Sequence, residues 1–275
     1  MADVAAADAG GAAGVSGVSG VAIVTGAARG IGAATVIGLR RAGWTVVAVD
    51  ACADAPGLPY ALGTRAQLEA VAAATGAEAV VADATDVDAM AAVVDAAETR
   101  HGGLDAFVAG AGVIAGGVPL WEMPREQERA VLSVCLDGVL VGARVAIPAL
   151  LRRPEPRRGR FLALASTAAA RGLPLLAAYC AAKAGVVGVV RALAVELRGT
   201  GVSANAVSPG STRTAILDET ARLYGLPSAE SFASQQPLER LLDPEEVAAL
   251  LVWLAGPESS ALTGAAVPVD GGLSV

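Results

Sequence analysis

The stretch "TGAARGIG", from Thr25 to Gly32, decides the fold. It follows the apolar run "VAIVT" (21–25) and opens a segment with helical periodicity. The glycines at Gly26, Gly30 and Gly32 predict a tight turn, a close approach of the backbone to a phosphate, and close helix–strand packing. Free N–H groups and the helix dipole favour anions at such a helix N-terminus. The stretch therefore predicts a nucleotide-binding strand–loop–helix unit.

Short apolar runs alternate with helical stretches along the rest of the chain. The predicted strands are 21–25, 45–50, 78–83, 104–110, 160–166, 202–208 and 265–270. The predicted helices lie near 30–42, 65–75, 86–101, 124–152, 176–199 and 243–256. Unbroken apolar strands that alternate with helices are typical of parallel strands buried on both faces. We predict an α/β fold, a Rossmann-like doubly wound parallel sheet of about seven strands with helices on both faces.

The chain is expected to hold one domain. Residues 1–18 consist mainly of alanine, glycine, valine and serine, and we predict a flexible N-terminal tail there. Residues 19–275 are predicted to form a single nucleotide-binding domain of the Rossmann type. Because no basic residue precedes Arg29, we expect no signal peptide. Glycines and serines in the uncharged run 9–28 also argue against a membrane span.

Charge and composition restrict the classes of partner. A formal net charge of −7 argues against nucleic acid, which binds to basic faces. The one basic cluster, "RRPEPRRGR" (152–160), is interpreted as a solvated loop between a helix and a strand. Three cysteines without a Cys-x-x-Cys pair, and one histidine, His101, favour no metal site and a reducing cytoplasm. His101 is interpreted as a helix end.

The carboxyl ends of parallel strands are where ligands bind in such sheets. Asp50 ends the second predicted strand, where a carboxylate can accept both ribose hydroxyls of NAD and repel the extra phosphate of NADP. A simple turn aspartate is the alternative. Asp83, which ends the third, is predicted beside the adenine ring, with Asp86 as a helix cap. The fourth ends in "AGAG" (109–112), small residues that fit beneath a cofactor or serve helix packing.

The fifth predicted strand ends at Ser166, and "YCAAK" (179–183) follows on the next predicted helix. Lys183 is the only lysine among 20 basic residues, which codon bias towards arginine would also explain. Tyr179 and Lys183 lie one helical turn apart, where the ammonium is expected to lower the pKa of the tyrosine. Hydride transfer from an alcohol needs a base for the hydroxyl proton and a donor to that oxygen. We predict Tyr179 as the base, Ser166 as the donor, and Lys183 as the group that tunes the base.

These motifs, in this order, resemble the short-chain dehydrogenase/reductase (SDR) family of single-domain type over Val21–Val275. "PGSTRT" (209–214) and "EEVAALLVWLAGPESSALTGAAVPVDGG" (245–272) add to the likeness. The resemblance implies NAD as cofactor, with NADP less favoured, a homotetramer, and a supporting role for Asn205 at the 209–214 turn. The cofactor contacts it implies are Gly26, Arg29, Gly30, Ile31, Gly32, Asp50, Asp83, Ala84, Ala109, Gly110, Tyr179, Lys183, Pro209, Gly210, Thr212 and Thr214.

Two positions depart from the family pattern. Ala109 and Gly110 replace the first two residues of the usual Asn-Asn-Ala-Gly. Cys135, in "VCLDG" (134–138), stands where an asparagine normally helps place a water in the proton relay to the lysine. The hydride-transfer hypothesis is unaffected, but the relay is expected to differ.

Within the family, the chain resembles a bacterial subgroup associated with the redox cofactor mycofactocin. The likeness lies in "VDACADAPGLPYAL" (49–62), "IAGGVPLWE" (114–122), "RRPEPRRGRF" (152–161) and the segment 211–226. It implies a nicotinamide that does not exchange and is reoxidised by a separate carrier. The stretch 51–64 is then expected to clasp the adenosine end, and an insertion without function is the alternative.

The sequence thus predicts a cytoplasmic, NAD-dependent oxidoreductase for a small apolar secondary alcohol or ketone. The predicted substrate wall has an apolar part and two rim arginines, namely Ile114, Trp121, Leu173, Leu175 and segment 214–236, with Arg171 and Arg213. An NADPH-linked 3-oxoacyl-type ketoreductase is one alternative, although Ala51 and Cys52 supply no basic residue beside Asp50. A non-catalytic nucleotide-sensing protein on the same fold is the other.

Overall fold

The computed structural model describes residues 20–275, so the predicted tail at 1–18 lies outside the described residues. The strands are β1 (Val21–Thr25), β2 (Thr45–Asp50), β3 (Glu78–Val81), β4 (Ala106–Ala109), β5 (Arg160–Leu164), β6 (Ser203–Pro209) and β7 (Ala266–Val269). The helices are α1 (Gly30–Arg41), α2 (Arg65–Thr75), α3 (Val87–His101), α4 (Arg125–Leu132), α5 (Gly138–Arg152), α6 (Ala177–Glu196), α7 (Ala215–Leu223) and α8 (Pro244–Ala255).

The strands form one sheet of seven, all parallel, in the order β3-β2-β1-β4-β5-β6-β7. The chain winds outward from β1 in one direction and then crosses to β4 and winds in the other. This is a doubly wound Rossmann-like sheet, and it confirms the predicted fold class. The order reverses between β1 and β4, so the crevice at their carboxyl ends is where a ligand is expected.

Two apolar layers hold the sheet between its helices. On one face, α1 and α8 pack against each other and cover the central strands through residues such as Val36, Leu39 and Leu251. On the other face, α3, α5 and α6 pack around Phe107 and Phe161, whose rings stack 5.8 Å apart. β1, β4 and β5 are buried along their whole length, as their unbroken apolar sequences indicate.

Two elements differ from the sequence-based prediction. The predicted helix 124–152 is interrupted, because π-helical Ser133–Asp137 joins α4 to α5. This bulge turns the side chain of Cys135 towards the end of β4. Helix α7 was not predicted at all. Its Leu217 and Thr220 line a cavity, and Leu217 also packs against a small cluster of Ala221, Phe232 and Leu241 away from the main core.

Several local predictions have clear outcomes. Asp86 caps α3 by accepting from the N–H groups of Asp88 and Ala89, and His101 is the last residue of that helix, as expected. The solvated interpretation of the basic cluster is wrong at Arg160, which is buried at the start of β5. The side-chain hydrogen bonds of Asn205 do not go to the 209–214 turn. Its amide donates to the carbonyl of Leu262 and accepts from the N–H of Ala265, both ahead of β7.

Two helical stretches, Arg125–Arg152 and Ala177–Glu196, are long and apolar enough to cross a membrane by length and composition alone. Core helices of soluble proteins meet the same criterion. Here α5 packs on β4 and β5, and α6 packs on β6. Burial against the sheet therefore accounts for only part of their apolar character, since half of the first apolar window and 28% of the second are buried.

Leu162 in β5 tests how much the central strands contribute to stability. Its side chain is fully buried between the neighbouring strands and α8. We expect Leu162→Ala to lower the free energy of unfolding by about 3 kcal/mol, because it leaves a cavity that the close-packed core cannot fill. Leu120→Ala, at a half-exposed position, is the control and should change it by less than about 0.5 kcal/mol. Equal effects in urea denaturation would contradict this assignment of the core.

Candidate active site

One cavity of about 640 Å³ runs along the carboxyl edge of the sheet, from the end of β2 to α7. It collects the loops that follow β1 to β6. The predicted site residues that line it are Gly26, Arg29, Gly30, Ile31, Gly32, Asp50, Asp83, Ala84, Gly110, Ser166, Tyr179, Lys183, Pro209, Gly210, Thr212 and Thr214. Ala109 is the exception, because it is buried within β4.

The glycine loop after β1 is packed so closely that side chains are excluded. A Cβ at Gly32 would lie 2.0 Å from the carbonyl oxygen of Gly26, and one at Gly26 would lie 2.8 Å from Cα of Ala111. Gly26 and Gly30 also adopt positive φ angles of 71° and 58°. The turn therefore delivers α1 to the cavity with its N-terminal N–H groups free, since Arg29 at the N-cap makes no side-chain cap. This is a cradle that fits a pyrophosphate.

Asp50 lies at the end of β2 with its carboxylate fixed from two sides. One oxygen accepts from the N–H of Ala28 and the other from the N–H of Cys52, each at 3.0 Å. A carboxylate oxygen has two lone pairs, so each retains an acceptor site on the cavity side. The geometry fits a ribose diol that donates two hydrogen bonds.

Thr25 joins the ends of β1 and β4. Its hydroxyl accepts from the N–H groups of Gly110 and Ala111, at 3.1 and 3.3 Å. A Cβ at Gly110 would lie 2.7 Å from the carbonyl oxygen of Thr25. The small residues of "AGAG" are therefore required where the two strand ends meet, and the missing asparagine amides are replaced by a hydroxyl from β1.

Ser166, Tyr179 and Lys183 come together at the other half of the cavity. Ser166 follows β5 close to Tyr179, and its oxygen accepts from the N–H of Ala168 at 3.1 Å. The Lys183 ammonium is buried; it donates to the carbonyl of Leu164 at 2.7 Å and lies 5.7 Å from the centre of the Tyr179 ring. A hydroxyl, a phenol and an amine thus converge at one place.

The electrostatics of this group differ from the expectation that Lys183 lowers the pKa of Tyr179. Burial raises the pKa of Tyr179, and Cys135 adds to the increase, whereas the hydrogen bond with Ser166 opposes it. Burial also lowers the pKa of Lys183. Desolvation disfavours the charged form of both groups and here outweighs their attraction.

Cys135 takes over a structural role at the end of β4. Its thiol donates to the carbonyl of Val113 at 3.2 Å and accepts from the N–H of the same residue at 3.3 Å. The cysteine is fully buried. A Cβ at Gly112 would lie 3.9 Å from its sulfur and 3.8 Å from the Lys183 nitrogen, so Gly112 lies beside both groups.

The segment 51–64, here called the strap, crosses the cavity between β2 and α2. Ala53 to Pro56, Leu62 and Gly63 line the cavity, and Arg29 donates to the carbonyl of Ala61 at 2.9 Å. Tyr60 reaches the far side, where its hydroxyl accepts from the N–H of Ile114 at 2.9 Å. Sequence reasoning missed Tyr60. The available signal was one of three tyrosines within a stretch longer than a βα turn needs.

The substrate wall is partly as predicted. Ile114 and Leu173 line the cavity, as does much of segment 214–236, including Tyr224, Phe232 and Gln235. Tyr224 donates to the carbonyl of Pro174 at 2.7 Å and closes this end of the cavity.

Four predicted wall or rim residues do not line this cavity. Trp121 is 84% exposed, and the Leu175 side chain points away, although its carbonyl accepts from Gly117. Arg213 pairs with Glu230 and Asp243. Arg171 donates to the carbonyl of Leu273, so the C-terminal segment closes the rim there.

Comparisons with known proteins agree with this geometry. A family model described as enoyl-(acyl carrier protein) reductase matches residues 26–274. The chain is 36% identical to a cis-4-hydroxycyclohexanecarboxylate dehydrogenase from Sinomonas cyclohexanicum, over 91% of this chain and 94% of that protein.

Solved structures give the same result. Carveol dehydrogenase from Mycobacterium avium, in complex with NAD, superposes with a TM-score of 0.87 at 30% identity, over 92% of this chain and 97% of that chain. A short-chain type dehydrogenase/reductase from Mycobacterium marinum superposes with a TM-score of 0.79 at 27% identity, over 93% of this chain and 95% of that chain. With its motifs in order, its doubly wound sheet and relatives that match nearly its whole length, the chain belongs to the short-chain dehydrogenase/reductase family of NAD(P)-dependent oxidoreductases.

Proposed function

We propose that the protein is an NAD-dependent dehydrogenase that transfers a hydride between a small, apolar secondary alcohol and the nicotinamide. The observation that carries the proposal is one cavity with Asp50 at one end and Ser166, Tyr179 and Lys183 at the other. A ribose-binding carboxylate and a proton-accepting group thus share a site long enough for a dinucleotide.

The cofactor would be held by the glycine loop, Asp50 and the segment 209–214. Gly26, Gly30 and Gly32 leave room for a pyrophosphate at the N-terminus of α1. Asp83 and Ala84 would border the adenine, while Pro209, Gly210 and Thr214 would border the nicotinamide. NAD bound there would supply a ring carbon that accepts the hydride and a positive charge that favours a nearby phenolate.

In alcohol oxidation, Tyr179 takes the hydroxyl proton of the substrate and Ser166 donates a hydrogen bond to the same oxygen. Lys183 contributes by its position. Its ammonium donates a hydrogen bond to the carbonyl of Leu164, and this holds the nitrogen 5.7 Å from the centre of the Tyr179 ring. In that low-dielectric site an ammonium stabilises the phenolate as it forms, although burial alone raises the pKa of the tyrosine. In ketone reduction the same proton moves back to the substrate oxygen.

The substrate class follows from the wall beyond Ser166. In the described part of the chain, the lining that comes from 173–176 and from 216–235 carries no charged side chain. Thr220, Tyr224 and Gln235 supply its polar groups among leucines and Phe232. This favours a neutral alicyclic alcohol or its ketone over a carboxylate, because a buried carboxylate needs a paired cation. The related dehydrogenase from Sinomonas cyclohexanicum is named for a hydroxylated cyclohexane ring, which supports a cyclic substrate. The substrate in that name also carries a carboxylate, for which the lining from 173–176 and 216–235 offers no cation, so the support extends to the ring alone.

A 3-oxoacyl-type reductase that uses NADPH is less well supported. Asp50 would repel a 2′-phosphate, and its neighbours Ala51, Ala53 and Asp54 supply no positive charge. An acyl-carrier substrate would also have to pass the closed end at Tyr224 and Pro174. A purely nucleotide-sensing protein would not need the Ser166, Tyr179 and Lys183 set.

A tightly held cofactor, reoxidised by a mycofactocin-type carrier, extends the proposal. The strap supports it, because Arg29 ties it over the glycine loop and Leu58 and Leu62 pack into the cluster around Met123 and Ala178. Gly63 lies against Asp50, where a Cβ would come within 3.0 Å of the carboxylate. Release of NAD would require these contacts to break.

We further propose a single catalytic domain over 19–275 that works in the cytoplasm as a homotetramer. Helices α5 and α6 carry exposed apolar side chains such as Leu140 and Val195, which an interface would bury. Sedimentation analysis would test this oligomeric state directly.

Tyr179→Phe tests the assigned base. We expect kcat/KM for alcohol oxidation to fall at least about 100-fold, because the variant cannot accept the substrate proton. NADH affinity should stay within about twofold. In the wild type, since burial raises the tyrosine pKa, the oxidation rate should increase with pH through the alkaline range. Retained activity with an unchanged pH profile would refute Tyr179 as base.

Cys135→Asn tests the altered family position. A carboxamide can donate to the carbonyl of Val113 and accept from its N–H, as the thiol does, so turnover should not fall. Cys135→Ala, which loses both hydrogen bonds, is the matched control and should reduce both Tm and turnover. A loss of rate beyond about tenfold in Cys135→Asn would reveal a chemical role for the thiol.

The amount of retained cofactor tests the captive-NAD extension. The protein is dialysed exhaustively and denatured, and the released NAD(H) is quantified. We expect a ratio near one per chain, because the strap covers the bound dinucleotide. A ratio near zero would indicate an ordinary exchanging dehydrogenase, for which added NAD and a panel of secondary alcohols are the appropriate assay.

A further inference from the structure

The backbone at the end of β4 is held by two side chains that belong to different segments. Val113 exchanges two hydrogen bonds with Cys135, and the next N–H, that of Ile114, donates to the hydroxyl of Tyr60. Val113 and Ile114 are both buried. Because a buried N–H without a partner is unfavourable, the conformation of this wall depends on both side chains remaining in place.

Tyr60 connects that wall to the cofactor side of the cavity. It belongs to the strap, 54 positions before Ile114 in the chain. Its neighbour Ala61 is bound by Arg29, and Leu62 donates to Asp54 at 2.9 Å, which closes the strap on itself. The strap is thus attached at the glycine loop, through Arg29, and at Ile114, through Tyr60. If one of these two contacts opens, the other is strained.

The chemical state of Tyr60 suits this role. Burial raises its pKa to about 12, so the side chain is a neutral phenol at physiological pH. Ile114 lines the cavity where the substrate would contact the wall. The hydrogen bond of Tyr60 therefore acts on substrate binding through Ile114.

We propose that Tyr60 is a positioning residue that makes the substrate wall at Ile114 depend on closure of the strap over the cofactor. The inference rests on the proposed function and extends it. Opening of the strap for cofactor exchange breaks the hydrogen bond and loosens Ile114. By linkage, an ordered wall also strengthens the binding of the cofactor.

Tyr60→Phe tests the proposal, because it keeps the ring and removes only the acceptor. We expect KM for a secondary alcohol to rise about tenfold while kcat stays within about twofold, since Ser166, Tyr179 and Lys183 are untouched. Exchange of bound cofactor against isotope-labelled NAD should become about tenfold faster. Thr200→Ala is the matched control: it also removes a hydroxyl that accepts from a backbone N–H, that of Val202, but it lies outside both the strap and the cavity. This control should change neither KM for the alcohol nor the rate of cofactor exchange.

Hydrogen exchange of peptides covering 110–118 gives a readout without turnover. Faster hydrogen exchange of these peptides in Tyr60→Phe than in the wild type or in Thr200→Ala supports the proposal even if no tested alcohol is oxidised. Failure of the proposed function would instead appear as no reduction of NAD by the wild type with any secondary alcohol of the panel, whatever the hydrogen exchange of peptides 110–118. The coupling would be overturned by an unchanged KM in Tyr60→Phe. It would also be overturned if the bound cofactor exchanged faster while the hydrogen exchange of peptides 110–118 stayed the same.

Discussion

Parallel pairing of the seven strands is the constraint on which the rest of the structure depends. It directs every strand's carboxyl end to one edge, and the crossover helices then cover both faces. The loops after β1, β2, β4, β5 and β6 therefore meet although they are far apart in sequence. At the centre, the hydroxyl of Thr25 bonds two N–H groups that follow β4. Close contact there demands glycine and alanine, which explains why the chemistry-bearing loops are so poor in large side chains.

The same burial sets the electrostatics of the reacting end. Tyr179 and Lys183 lie on one face of α6, as their spacing requires, and both are desolvated. Desolvation shifts each towards its neutral form, and the hydrogen bond from Lys183 to Leu164 offsets part of this cost. An arginine would not serve in this position, since its guanidinium is larger and does not lose its proton. The single lysine of the chain is therefore retained where a compact ammonium fits.

Much of this arrangement could be predicted from the sequence because its signals are local. Strand positions follow from unbroken apolar runs, and the roles proposed for Asp50 and Ser166 rest on their places at the end of β2 and just after β5. The rest depends on contacts between distant segments. Tyr60 meets Ile114 across 54 positions, and nothing in the strap has a helical or strand period. Arg160 seemed solvated beside other arginines, yet its place at the first position of β5 puts it inside the sheet.

The departures from the family pattern have one physical consequence in common. Ala109 and Gly110, which stand where the family pattern has Asn-Asn, give the loop after β4 no polar side chain at these positions. The required partners come from outside: Thr25 for Gly110 and Ala111, Cys135 for Val113, and Tyr60 for Ile114. Since buried N–H groups must be paired, these substitutions make the loop dependent on its neighbours. The conformation of this loop is therefore set by β1, by the π-helical turn and by the strap. Because the strap is proposed to cover the cofactor, the order of the loop depends on whether the cofactor is bound.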